Sequence, residues 1–113
     1  EYYHNLPRLG LITLHRYCAF AYARAEPEKS IEHALACIEA HGYNFTMTDD
    51  NFEIDRTNAM SAPQVVDQLM NVSRYKAMKG QTILAGKIRE LALQIYIIVN
   101  GEPSGFQTRY GKA

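Results

Sequence analysis

The feature that most constrains this chain is a change of hydrophobic period in its middle. Over residues 31–40 (IEHALACIEA) apolar side chains recur at helical spacing. From Tyr43 they alternate with polar ones, first in YNFTMT and again in NFEID, with Asp49 and Asp50 between the two runs. From Ser61 (SAPQVVDQLM) the helical spacing returns. A chain patterned in this way folds as helix, hairpin, helix over residues 31–79. The alternation gives the hairpin one apolar face (Tyr43, Phe45, Met47, Phe52, Ile54) and one polar, acidic face. Two strands alone are marginal in water, so the apolar face must lie on helices. The expected class is a small α+β domain, three or four helices packed on a two-stranded antiparallel hairpin in the order α-α-β-β-α-α.

The flanks supply the other helices. Asn5 can cap a first helix with Pro7 in its first turn, where a missing N–H costs nothing, and the helix would run to about Ala25. Its apolar residues (among them Leu9, Ile12, Leu14, Tyr17 and Phe20) wrap most of the circumference. Such a helix is buried on more than one side, either at the centre of the fold or against a second subunit. Pro27 opens the second helix and Gly42 follows it as a left-handed C-cap. Ser61 and Gln64 read as a capping box, with Met60 and Val65 as its hydrophobic staple, and Gly80 ends that helix.

A fourth helix is expected over Thr82–Val99, with Leu84, Ile88, Leu91, Ile95 and Ile98 on one stripe and Ile83, Leu93 and Ile97 opposite. The β-branched run QIYIIV competes as a buried strand, and the helix is the preferred reading. At 113 residues the chain is one domain, compact over 1–100. Gly and Pro in GEPSGFQTRYGKA predict a flexible tail without regular structure over 101–113.

Net charge is zero but segregated. Residues 1–25 carry Arg8, Arg16 and Arg24 against Glu1, a net +2. Residues 26–55 carry eight acidic residues against Lys29, a net −7, and residues 56–113 carry eight basic residues against three acidic ones, a net +5. This pattern serves internal complementarity and helix dipoles, or it forms opposed faces that steer partners. No run of 18 or more apolar residues is present, so no membrane span is expected. With no signal peptide, and with Cys18 and Cys37 read as reduced thiols, the expected location is cytoplasmic.

Catalytic and cofactor chemistry finds little support. His33, Cys37 and His41 lie at i, i+4 and i+8, which spreads them over about 12 Å of helix, so one tetrahedral ion cannot reach both ends. Gly80–Lys87 resembles a phosphate loop but has five residues between its glycines, and Ile88 stands where Ser or Thr should hold magnesium. The carboxylate pairs Asp49/Asp50 and Glu53/Asp55 lie on a turn and a solvent face, which offer neither the burial nor the coupling that shifts a pKa for acid–base work. A Cys18 or Cys37 nucleophile beside His15 or His33 rests on residue types too common to carry weight. The expectation is a protein that is not an enzyme and needs no cofactor or metal.

Residues 31–78 resemble the helix–hairpin–helix docking domains at the N-termini of polyketide and nonribosomal peptide assembly-line subunits, the TubC type. The likeness lies in IEHALACIEAHGYNFTM, then NFEID, then SAPQVVDQLMNVSRYKAM, and covers less than half the chain. It implies a dimerising domain whose hairpin edge takes up a partner peptide as an added strand, with Phe52–Asp55 receiving it beside Arg56. This hairpin is acidic where family members commonly present basic residues, and the two terminal helices are additional to that fold.

The leading functional expectation is therefore a non-catalytic docking or adaptor domain. Its partner would meet Asp49, Asp50, Phe52, Glu53, Asp55 and Arg56, and self-association as a homodimer would use Leu93, Tyr96 and Ile97 on the fourth helix. The alternative is a nucleic-acid-binding regulator using Arg74, Lys76, Lys79, Lys87 and Arg89 near Tyr75, although zero net charge argues against a broad nucleic-acid-facing surface. A small accessory or inhibitor protein of a mobile element would also bind proteins, and the sequence does not separate it from a docking domain.

Overall fold

Four helices stack in chain order, and the hairpin sits between the second and third in sequence. The computed structural model describes residues 8–57, 59 and 61–111, for Arg8 the backbone only. The elements are α1 (Arg8–Tyr22), α2 (Pro27–Ala40), β1 (Asn44–Met47), β2 (Phe52–Asp55), α3 (Pro63–Met78), α4 (Thr82–Asn100) and a short α5 (Phe106–Tyr110). The α+β class and the expected order hold, with one helical turn added at the end. Helix α1 packs on α2, α2 on α3 and α3 on α4, while β2 touches α4. No described helix is long and apolar enough to cross a membrane.

Local chemistry explains the boundaries. After α2, Gly42 takes φ 97°. Its N–H donates to the Glu39 carbonyl and that of Tyr43 to Ile38, so two of the last orphan carbonyls are satisfied. Tyr43 and Ile38 are both in the core, which adds the apolar contact such an ending favours. Gly80 closes α3 in the same way, with its N–H on Ala77 and that of Gln81 on Lys76.

The start of α3 differs from expectation. The N-cap is Ala62, extended at φ −153° and ψ 152°, and no side chain caps the helix. A residue before proline is pushed to extended geometry, so Pro63 forces the boundary to Ala62. That leaves Ser61 one residue outside, and the Ser61–Gln64 capping box does not form. Asn5, Pro7 and Met60 lie outside the described residues, and with them the expected first cap and the staple.

The hairpin pairs Asn44 with Asp55, Phe45 with Ile54, Thr46 with Glu53 and Met47 with Phe52. Asn44, Thr46, Glu53 and Asp55 are exposed; Phe45, Met47 and Ile54 are half-buried against the core and Phe52 is fully inside it. The Phe45 and Phe52 rings stack at 5.4 Å. The Thr48 N–H donates to the Asn51 carbonyl at 2.9 Å and closes the turn.

Residues 94–99 are helical, as preferred. Leu84, Ile88, Ala92 and Ile95 are buried at helical spacing against the core, and burial overrides the strand preference of the β-branched run. The expected stripe fades in the last turn, where Ile98 is exposed and Val99 packs inward instead. Helix α1 is not central. It buries Ile12 and Ala19 against α2, where Ser30 Oγ donates to the Ala19 carbonyl at 2.6 Å. Its opposite side has no neighbour among the described residues, and Tyr17 and Phe20 are 72% and 82% exposed.

The segment after Gly101 also departs from expectation. Residues 106–110 form the turn α5, and Phe106 is buried. Tyr96 meets the Phe106 ring edge-on at 5.5 Å, and the Arg89 guanidinium lies 5.1 Å from it. Tyr110 donates its hydroxyl to Asp67 on α3, and Arg109 pairs with the same carboxylate at 3.4 Å. Two aromatics four residues apart give this segment an apolar face, which outweighs the Gly and Pro before it.

Candidate functional site

The hairpin presents its acids to solvent. Asp49 and Asp50 occupy the turn, Glu53 and Asp55 the polar face of β2, and Arg56 follows the strand; all five are exposed. Local polar groups hold several of them. Thr48 Oγ1 donates to Asp50 at 3.4 Å and Asn51 Nδ2 to Glu53 at 3.2 Å. Asp55 accepts the Thr57 hydroxyl at 2.6 Å and the Thr57 N–H at 3.0 Å. These two bonds, the hydroxyl first, hold its carboxyl below the ordinary aspartate value. The ion pairs among the described residues are Lys29–Glu26 and Arg109–Asp67, neither on the hairpin. Phe52, expected to meet a partner, is only 3% exposed and belongs to the core. Period-2 alternation places it on the apolar face, so it can support a docking edge but not touch what binds there.

Beside β2 runs an open groove of about 500 Å³, walled by Phe52 on one side and by Ile83, Gly86, Lys87 and Glu90 of α4 on the other. Lys87 Nζ donates to Asn51 Oδ1 at 3.3 Å and ties α4 to the hairpin turn. In a two-stranded sheet each strand keeps one edge without a strand partner, and among the described residues that of β2 remains so here.

The residues expected to self-associate are partly covered within the chain. Leu93 and Tyr96 are half-buried and pack against the core, Tyr96 beneath Phe106. Ile97 is 36% exposed and Ile98 more so. The larger bare apolar surface is on α1, where Leu9, Leu14, Tyr17 and Phe20 stand out. The sequence signal was the apolar wrap of that helix, whose second covering surface the described fold does not contain.

The basic residues are dispersed. Lys76 and Lys79 lie over the Tyr75 ring at 6.0 and 5.6 Å, and the Tyr75 hydroxyl reaches Glu28 of α2 at 3.4 Å. Arg74 and Arg89 line a different groove, between α3, α4 and α5, and Lys87 turns to the hairpin. The five do not converge on one surface.

The described histidines and both cysteines lie along α1 and α2 or at the end of α2. His15 and His33 face each other across α1 and α2 with their Nδ1 atoms 2.9 Å apart, and Tyr22 stacks on His33 at 5.8 Å. Burial, then the neighbouring His33, lowers the His15 pKa. His41 is buried, its Nδ1 2.9 Å from the Cys37 carbonyl oxygen. Burial pushes the Cys37 thiol up to about 11, which keeps it protonated and a poor nucleophile. Cys18 and Cys37 are both free thiols, and Cys18 is half-exposed. Among the described residues no three His, Cys, Asp or Glu side chains converge as metal ligands.

The fold and these surfaces define a small α+β domain with one bare helix face and an acidic hairpin. No family model, no curated protein and no solved structure matches the chain.

Proposed function

We propose that this protein is a non-catalytic association module that pairs with a second copy of itself and presents its acidic hairpin to a basic or extended partner segment. The observation that carries the reading is the outer face of α1, where Leu9, Tyr17 and Phe20 stand exposed on a helix that, among the described residues, packs chiefly on α2. The acidic face of β2 supports the second half of the reading. Glu53 and Asp55 point to solvent from a strand whose outer edge has no strand partner among the described residues, and no ion pair among those residues engages them. An added strand would gain backbone hydrogen bonds there, and its basic side chains would find the carboxylates.

Affinity capture from the native source tests the docking half. The wild-type chain retains a partner, and the pair Glu53→Lys and Asp55→Lys loses it while keeping the same circular dichroism spectrum. Retention of the partner by the charge-reversed chain ends this reading of the hairpin.

Nucleic-acid binding is a second reading, favoured by Lys76 and Lys79 beside the Tyr75 ring. An affinity for single-stranded nucleic acid that falls steeply with salt supports it, and a salt-independent or absent signal removes it.

A further inference from the structure

The groove between α3, α4 and α5 carries a chemistry that the association reading does not use. It encloses about 340 Å³, within the usual range of ligand sites of roughly 300–1,000 Å³. Met70, Ala77 and Ala85 give it an apolar lining, and Arg74, Arg89 and Tyr110 stand around it. Among the described residues no carboxylate lines it. Asp67, the acid that anchors α5, is engaged by Arg109 and Tyr110, and Glu90 lines the groove on the hairpin side. Arg89 donates to the Gly111 carbonyl, which uses one of the five N–H donors of a guanidinium. Arg74 is exposed and makes no ion pair among the described residues. The Ser73 hydroxyl is committed to the Ala85 carbonyl at 2.8 Å and fixes the spacing of α3 and α4. Gly86 leaves the mouth open, since a methyl group in place of its hydrogen would meet nothing within 4 Å.

Two guanidinium groups beside an apolar lining, with no carboxylate among the described residues that line the groove, select for an anion attached to a hydrocarbon. A planar carboxylate matches the guanidinium fork, and an aliphatic body lies along the exposed Ala77 and the aliphatic stems of the two arginines. We propose that this groove binds a small amphipathic carboxylate, its head on Arg74 and Arg89 and its chain along α3 and α4. Inorganic phosphate satisfies the charge but not the lining, and a neutral alcohol the lining but not the charge.

Heteronuclear NMR of the full chain, titrated separately with sodium octanoate, octanol and inorganic phosphate, tests the proposal. Octanoate produces saturable shifts at the amides of Ser73, Arg74, Ala85, Gly86 and Arg89, and neither control saturates over the same range. Arg74→Gln, an exposed position outside the core, weakens octanoate about tenfold, the loss of one charged contact. Three results overturn the proposal: octanoate shifts that centre on α1 instead, equal binding by octanol or phosphate, or unchanged binding by Arg74→Gln.

Discussion

Helices α1 and α4 carry the same signature, apolar residues around most of the circumference, and meet opposite fates. The second half of α4 lies against α3 on one side, and on another the chain turns back after Gly101 to set Phe106 against Tyr96 and Arg89. Among the described residues helix α1 packs chiefly on α2, and Phe20 is more than four-fifths exposed. An all-round apolar helix announces that it needs two covering surfaces. It does not announce whether the second comes from its own chain. For α4 the cover is the last described turn of the chain, and for α1 the proposed cover is another copy.

The comparison can be broken first at Phe106. Phe106→Ala should destabilise the fold by about 3 kcal/mol, because a large buried ring leaves a cavity beside Tyr96. By contrast, Phe20→Ala should change the stability of the dilute chain by less than about 0.5 kcal/mol, as exposed positions do. Urea midpoints at low protein concentration check both, and equal losses would erase the distinction between the two helices.

A smaller effect is expected at the anchor of α5. Tyr110→Phe removes the hydroxyl that donates to Asp67 and should cost about 1–2 kcal/mol, a hydrogen bond to a charged acceptor. Amide hydrogen exchange at Phe106–Gly111 should accelerate in this variant while exchange in α1 stays the same. Uniform acceleration would mean that α5 is not a separable cover.

The smallest effect concerns the seam between α1 and α2. His15 faces His33 across that seam, and its pKa lies below the ordinary 6.5. The unfolded chain therefore takes up a proton near pH 6.5 that the folded chain resists. The fold is at full strength above that value and weakens as pH falls through the lowered one. Chemical denaturation between pH 8 and pH 5 should show this slope, and His15→Gln should reduce it. A midpoint that rises on acidification would contradict the assignment.

Much of this architecture was legible in the residues. The switch from helical to alternating spacing located the hairpin, and alternation alone sorted Glu53 and Asp55 outward from Phe52 inward. Phe52 was expected to meet a partner, yet the same rule puts it on the apolar face of the ribbon, where the helices beneath claim it. Pro63 carried the true start of α3, since its effect on the preceding residue outranks the hydroxyl of Ser61. The C-terminal turn was misjudged because Gly and Pro density was weighed above the spacing of Phe106 and Tyr110. The Arg74–Arg89 groove was out of reach of sequence, for it exists only once α5 has folded onto α3 and α4. The basic residues looked like one cluster in the chain and are parted by helix geometry, which sends Lys79 over Tyr75 and Lys87 to the hairpin.

The central claim is that the outer face of α1 is an interface between copies of this chain. Sedimentation equilibrium over a range of protein concentrations, on the wild type and on a Tyr17→Lys, Phe20→Glu variant, addresses it directly. The wild type should form a reversible dimer and the variant a folded monomer at every concentration; a wild type that stays monomeric throughout, or a variant that dimerises equally well, rules out α1 as the interface.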